Sequence, residues 1–197
     1  MSEQSTSWPR IAFYLGAAFL AAVSIYTWLQ RPDAPLHMAL RLTGLLGYVA
    51  LFLATLLAEY VRQVPKIFDR PFLKMHHFLA IAGLALIVAH PLSLALLAGD
   101  PAVFVPTLGN VRIALQNGGR IAIYLFLLAA LAAWQSRRIG FWRTVHFLNY
   151  AALILAAVHG LMIGEDLQGT ILTVLWPLMA LVAVGVFVHK RMKRSRP

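Results

Sequence analysis

Six long apolar stretches constrain the fold of this chain more than any other feature of its sequence. Each is close to the roughly 20 residues that an α-helix needs to cross about 30 Å of hydrocarbon. Short breaks rich in Pro, Gly, Arg and Asp separate them. The predicted spans are 11–29, 38–61, 75–98, 119–134, 143–164 and 171–189. We therefore expect an all-α polytopic membrane protein, with a six-transmembrane-helix bundle forming one domain over 11–189.

Composition and charge support a membrane location. Of the 197 residues, 60% are hydrophobic and 12% are charged, which is unlike a soluble globular domain. The net charge of +10 is spread over loop ends, and a cytoplasmic N-terminus places most Lys and Arg in the cytoplasm, as the positive-inside rule requires. We expect a multi-pass protein of the cell inner membrane with cytoplasmic segments at 1–10 and 190–197. Membrane lipid is an expected partner and nucleic acid is not.

Histidine inside the spans is the main functional signal, because ionisable side chains in a bilayer interior are costly and rare. His76 and His90 lie 14 residues apart in the third span, and His146 and His159 lie 13 residues apart in the fifth. Because both spans run from the cytoplasm outwards, these residues fall at two depths roughly 20 Å apart. Each depth then offers one imidazole from each helix.

Two protein ligands per depth are too few for a bare transition-metal ion, but they suit a haem, whose porphyrin supplies four nitrogen ligands. The sequence therefore predicts haem b on four iron ligands, with two haems expected and one haem as the alternative. The predicted ligands are His76, His90, His146 and His159. The chain has no cysteine, which excludes iron–sulfur clusters and covalently attached c-type haem. A purely structural role, as hydrogen-bonding partners between helices, stays open for all four.

Helical phase makes a separate prediction about the fifth span. A step of 14 residues returns to within roughly 40° of the starting face, whereas 13 residues miss it by roughly 140° on an ideal helix. For His146 and His159 to serve the same space between helices, the fifth span should contain a π-bulge, a kink or widely splayed imidazoles.

Arginines near the two depths are candidate partners for haem propionates, which are carboxylates that favour guanidinium groups. Arg112 and Arg120 fall near the outer depth, and Arg70 and Arg143 near the inner depth. The alternative is that they are topology signals whose side chains reach the membrane surface.

The motifs around these residues are 75–80 (MHHFLA), 89–92 (AHPL), 117–120 (NGGR), 142–146 (WRTVH) and 158–160 (VHG). Over about 62–169 they resemble the ferric-reductase-like transmembrane domain, the membrane-domain family of ferric reductases and NADPH oxidases. The resemblance implies six helices, bis-histidine b-type haems between helices three and five, and His76 rather than its neighbour His77 as the iron ligand. A relative of similar size is the haem-binding membrane subunit of the methionine sulfoxide reductase system.

The resulting prediction is a transmembrane electron-transfer protein that passes electrons from a cytoplasmic-side or quinol donor to an acceptor on the outer side. Family members usually continue into an FAD and NAD(P)H domain, but only 190–197 follow the last span and no Gly-rich dinucleotide fingerprint occurs. We expect the donor to be a separate cytoplasmic flavoprotein reductase, a bound flavin or a membrane quinol (quinone pool). The chain would then be an oxidoreductase component, and whether it is an enzyme alone stays open.

Three alternative functions remain. The chain could feed electrons to a periplasmic acceptor protein, a methionine sulfoxide reductase. A dihaem cytochrome b of the quinol-dehydrogenase type would carry similar histidines, although six spans disfavour it. A non-redox transporter or scaffold is the alternative from another class, and helices broken at mid-membrane would be its signature.

Overall fold

The computed structural model describes residues 7–107 and 109–194, and in these ranges the chain forms helices and no strands. The predicted terminal segments 1–10 and 190–197 are described only in part, because 1–6 and 195–197 lie outside these ranges. The helices are α1 (Ser7–Leu29), α2 (Pro35–Ala58), α3 (Val64–Phe68), α4 (Phe72–Ala98), α5 (Val111–Gln116), α6 (Gly118–Trp134), α7 (Trp142–His146), α8 (Leu148–Ile163) and α9 (Leu172–Arg194), with a 3-10 turn at Pro101–Phe104.

Within the described part of the chain, five helical segments are long and apolar enough to cross a membrane. They are Trp8–Leu29, Pro35–Ala58, Phe72–Ala98, Trp142–Ile163 and Leu172–Lys193. The predicted fourth span is present as α6, an apolar helix of 17 residues. At 1.5 Å per residue α6 rises only about 25 Å, at the lower limit for a spanning helix. The all-α, multi-pass character of the chain is therefore confirmed by five helices rather than six.

Prolines account for several differences between predicted and observed boundaries. Helix α2 begins at Pro35 and α4 follows Pro71 directly, each about one turn earlier than the predicted spans. Proline suits a helix start because its missing N–H has no partner there and its φ is already helical. The short helix α3 lies between the second and third predicted spans, and its C-cap residue Asp69 is in a left-handed conformation (φ 53°).

Helix α2 lies at the centre of the bundle. In its most apolar window 61% of the residues are buried, against 28% or less in the other four candidate spanning segments, so α2 is surrounded by protein while the other four expose much of their apolar surface. It packs most closely on α4, where a Cβ on Gly47 would meet Ile87 at 2.7 Å and one on Gly83 would meet Leu51 at 2.8 Å. These two glycines let the α2 and α4 backbones approach each other closely.

The two ends of the bundle differ in what they hold. At the end where both described chain termini lie, which we call the termini end, Arg10 at the start of α1 donates to the Ile67 carbonyl at 2.7 Å, and Lys190 near the end of α9 donates to the Glu59 carbonyl. At the opposite end Arg31 after α1 donates to the carbonyls of Glu165 and Gln168. We call this the cavity end, because the cavity described below lies there. Both described chain ends therefore lie at one end of the bundle, and the connection between α8 and α9 lies at the other.

Candidate functional site

The four intramembrane histidines meet as two pairs between α4 and the α7–α8 segment. The ring centres of His76 and His146, the His76 pair, are 6.2 Å apart with their planes at 69°. Those of His90 and His159, the His90 pair, are 6.4 Å apart at 86°. His77 is exposed while its neighbour His76 is partly buried and faces the His146 ring. The structure thus brings together the residues that the spacing had paired.

All four imidazoles make the same kind of hydrogen bond. In each ring Nδ1 lies within hydrogen-bond distance of a backbone carbonyl on a neighbouring helix. The acceptors and distances are Ala54 for His76 (3.1 Å), Ala129 for His146 (3.0 Å), Leu40 for His90 (2.8 Å) and Gln116 for His159 (2.6 Å). A carbonyl only accepts, so Nδ1 carries the proton in the neutral ring and Nε2 carries the lone pair.

This pattern is the one that metal-binding histidines adopt, because a hydrogen bond from one ring nitrogen fixes the tautomer and orientation of the other. A metal ion bound by Nε2 of both rings at about 2.0 to 2.1 Å would leave the ring centres at most about 6.4 Å apart, and both pairs lie within that separation. Among the described residues no three His, Cys, Asp or Glu side chains cluster as a metal site.

Asn149 adds a contact to the His76 pair alone. Its amide nitrogen lies 3.3 Å from Nδ1 and 3.4 Å from Nε2 of His146. Because these distances are longer than that of the Ala129 bond, the carbonyl remains the main partner of Nδ1. The amide contacts the ring face and restricts its rotation.

Two glycines make room for the His90 pair. A Cβ built on Gly44 would lie 2.8 Å from Nδ1 of His90, and one built on Gly119 would lie 2.7 Å from Nε2 of His159. Either methyl group would displace the ring, and the one at 119 would also cover the nitrogen that carries the lone pair. Gly119 therefore keeps Nε2 of His159 accessible, which gives a chemical reason for its place in the 117–120 motif.

The irregularity that the 13-residue spacing predicts is present next to His146. The helix is interrupted at Phe147 between α7 and α8. The Phe147 N–H is shared between the carbonyls of Arg143 and Thr144, both at 3.2 Å, and the Tyr150 N–H bonds to the Phe147 carbonyl three residues back at 3.1 Å. Such tighter bonding turns the chain about 120° per residue rather than 100°, which removes part of the phase difference between His146 and His159.

A cavity of about 320 Å³ adjoins the His90 pair. It lies between α2, α4, α6 and α8, and both His90 and His159 line it, whereas neither member of the His76 pair does. Most of its lining is apolar. The polar side chains that line it are His37, Tyr48, Arg41, Asn117, Arg120, Glu165 and Asp166. The cavity combines an apolar interior with two unblocked imidazoles and a few charged groups, as small-molecule and cofactor sites do.

The four predicted arginines do not share one environment. Arg120 lines the cavity and donates to the Val105 carbonyl at 2.8 Å. Arg143 lies with its guanidinium 5.0 Å from the centre of the Trp142 ring, one turn before His146. Arg70 and Arg112 are exposed and do not line the cavity. Only Arg120 is thus placed beside a histidine pair in a shared cavity.

Sequence analysis missed the most buried charges near this site. Arg41 and Asp166 form an ion pair in which their side chains are 7% and 5% exposed. The signal that could have found Arg41 is its position two turns inside an apolar span. His37 also lines the cavity, and its Nδ1 lies 2.7 Å from an Asp33 carboxylate oxygen.

Comparison with known proteins supplies no relative. No protein-family model, no curated protein and no solved structure matches this chain. The likeness to the ferric-reductase-like domain therefore rests on the quoted motif residues and stays a prediction.

Proposed function

We propose that this chain is a membrane electron-transfer protein of the ferric-reductase-like type that holds two b-type haems, one on the His76 pair and one on the His90 pair. The observation that carries the proposal is the repeated geometry of the two pairs. Both have ring centres 6.2–6.4 Å apart, and every Nδ1 is engaged by a carbonyl. A structural role between helices requires neither this repeated separation nor a carbonyl partner for Nδ1 in all four rings.

The contribution of the protein is to place and orient the ligands. The carbonyls of Ala54 and Leu40 on α2 hold His76 and His90 on α4, so the central helix fixes one ligand at each depth. The carbonyls of Ala129 and Gln116 hold the partners. Haem bound at each pair supplies a one-electron carrier. A step of 14 residues along α4 separates the two depths by roughly 20 Å, which spans most of the hydrocarbon layer.

The direction of transfer follows from the proposed topology. If α6 also spans the bilayer, the described chain has six crossings and both ends lie on the same side, which the positive-inside rule assigns to the cytoplasm of the cell inner membrane. The His76 pair then lies near the donor, a cytoplasmic flavoprotein reductase or quinol. The His90 pair lies near the acceptor on the outer side, a periplasmic protein in the variant of the proposal that concerns methionine sulfoxide reductase.

The experiment that tests the proposal is a reduced-minus-oxidised absorption spectrum of detergent-purified protein, with haem counted per polypeptide. Two low-spin b haems per chain are expected. One haem would restrict the proposal to a single pair and favour the reductase-subunit variant. No haem after expression with ample haem would reject the proposal and leave the transporter or scaffold as the better hypothesis.

A further inference from the structure

The Arg41–Asp166 ion pair is built with every donor of the guanidinium engaged. Nε of Arg41 donates to Asp166 Oδ2 at 2.9 Å and one Nη donates to Asp166 Oδ1. The same Nη donates to the Trp28 carbonyl at 3.2 Å, and the other donates to the Arg31 carbonyl. One buried side chain of α2 therefore joins the end of α1 to the connection between α8 and α9.

Such a pair is a poor source of stability in itself. Removing two charges from water costs several kcal/mol, and well-packed apolar residues often replace a buried ion pair without loss. A buried pair at the end of an apolar bundle is better explained by what it holds in place. The elements that it joins are the relevant clue.

Those elements carry the two halves of the His90 pair. Leu40, whose carbonyl holds Nδ1 of His90 at 2.8 Å, is the residue directly before Arg41. Asp166 follows α8, the helix that carries His159, by three residues. Arg31 strengthens the same connection by donating to the carbonyls of Glu165 and Gln168. The ion pair thus fixes the support of one imidazole relative to the helix of the other, and both of its members line the cavity.

We infer that Arg41 and Asp166 are positioning residues that set the relative placement of His90 and His159 and keep the cavity end closed around them. The inference concerns the histidine site of the proposed function and rests on that function. The mechanical claim, that the pair holds α2 and the α4 helix packed on it in place relative to α8 at the cavity end, is testable without any cofactor.

The test uses the natural lack of cysteine in the chain, which permits spin labels at chosen sites in the full chain in lipid nanodiscs. One labelled pair, Leu92→Cys with Ile163→Cys, reports on α4 and α8 at the cavity end, since both positions are exposed. A second pair, Leu73→Cys with Phe141→Cys, reports on the termini end at sites that are also exposed. Distances are compared with Arg41 and Asp166 intact and in the double variant Arg41→Leu with Asp166→Leu, which leaves no unpaired buried charge.

The expected result is a shifted or broadened distance distribution at the cavity end and an unchanged one at the termini end. If the double variant does not fold, Asp166→Asn should give a smaller shift of the cavity-end distance. Asp166→Glu should restore the wild-type distance. Unchanged distributions at both ends would overturn the inference. In haem-loaded protein, the redox potential and electron paramagnetic resonance signal of the His90 site should change while those of the His76 site stay constant. A wild-type protein that binds no haem, together with a distance change in the double variant, would reject the proposed function and retain the positioning role.

Discussion

The His76 pair and the His90 pair carry the same ligands in different surroundings. The His76 pair is held by the carbonyls of Ala54, one turn before the end of α2, and Ala129 of α6. The His90 pair is held by Leu40 in the second turn of α2 and by Gln116 at the end of the six-residue helix α5, beside a cavity with charged lining. Both pairs are thus held near helix ends, and the difference between them is that the His90 pair adjoins a cavity lined by charged side chains.

The largest expected difference between the pairs comes from removing a ligand. His90→Ala or His159→Ala should abolish binding at the His90 pair and leave the His76 pair occupied, so haem per polypeptide falls from about two to about one. His76→Ala or His146→Ala should do the reverse. Absorption spectra and haem content measure this, with His77→Ala as the control that retains both haems. Equal haem in all four ligand variants would refute the assignment.

Added volume at two glycines should weaken only the His90 pair. Gly119→Ala and Gly44→Ala place a methyl group 2.7–2.8 Å from imidazole atoms, and over-packing of this kind costs about 1–3 kcal/mol, or roughly ten- to a hundredfold in affinity. Haem titration of the purified variants measures the loss. Gly16→Ala and Gly185→Ala are matched controls, since nothing lies within 4 Å of a Cβ at either position. A similar loss at the His76 pair would contradict the local cause.

Some features of the two pairs could be predicted from the sequence, and others are visible only in the fold. Hydrophobic length and the depth of each histidine in its span predict the apolar helices and the pairing of His76 with His146 and His90 with His159. The four carbonyl acceptors could not be predicted, because every residue has a carbonyl and the accepting one leaves no mark in the sequence. Arg41 and Asp166 could not be paired from sequence either, since 125 positions separate them.

Removing one charge beside the His90 pair should have a smaller effect, a change in the redox potential of that site. Arg120 lines the cavity of the His90 pair, and a neighbouring cation stabilises the reduced, less positive iron. Arg120→Ala should therefore lower the potential of that site alone. At an effective dielectric constant near 20 one nearby charge contributes about 1 kcal/mol, roughly 45 mV for one electron. Redox titration measures it, with Arg112→Ala, exposed and away from the cavity lining, as the control. An equal shift at both sites would indicate a general change in the protein.

The smallest expected effect is acid sensitivity at the cavity end. The Ala34 backbone N–H and then His37 hold the pKa of the Asp33 carboxylate below its ordinary value of 3.8. A carboxyl whose folded pKa is lowered stabilises the fold above its ordinary pKa, and this contribution is lost as the pH falls through the folded value.

Thermal unfolding of the solubilised protein between about pH 5 and about pH 3 measures this contribution. Wild-type protein should lose slightly more stability than Asp33→Asn over that interval, because the amide does not titrate. Identical acid profiles would show that the contacts of Asp33 with Ala34 and His37 contribute nothing to folding. The effect should be small because Asp33 is exposed.

The long sequence separation within the Arg41–Asp166 pair also orders the assembly of the molecule. At ordinary rates of synthesis Asp166 follows Arg41 by roughly 10 s, so α2 enters the membrane while its guanidinium still lacks the carboxylate. If the cavity end lies across the bilayer from the chain termini, that charge has to stay in the hydrated headgroup layer until the α8–α9 connection arrives. The Arg41–Asp166 contact therefore forms late in biogenesis, with the α9 contact of Lys190 at the termini end later still, and a chain that stops before residue 166 leaves Arg41 without its partner.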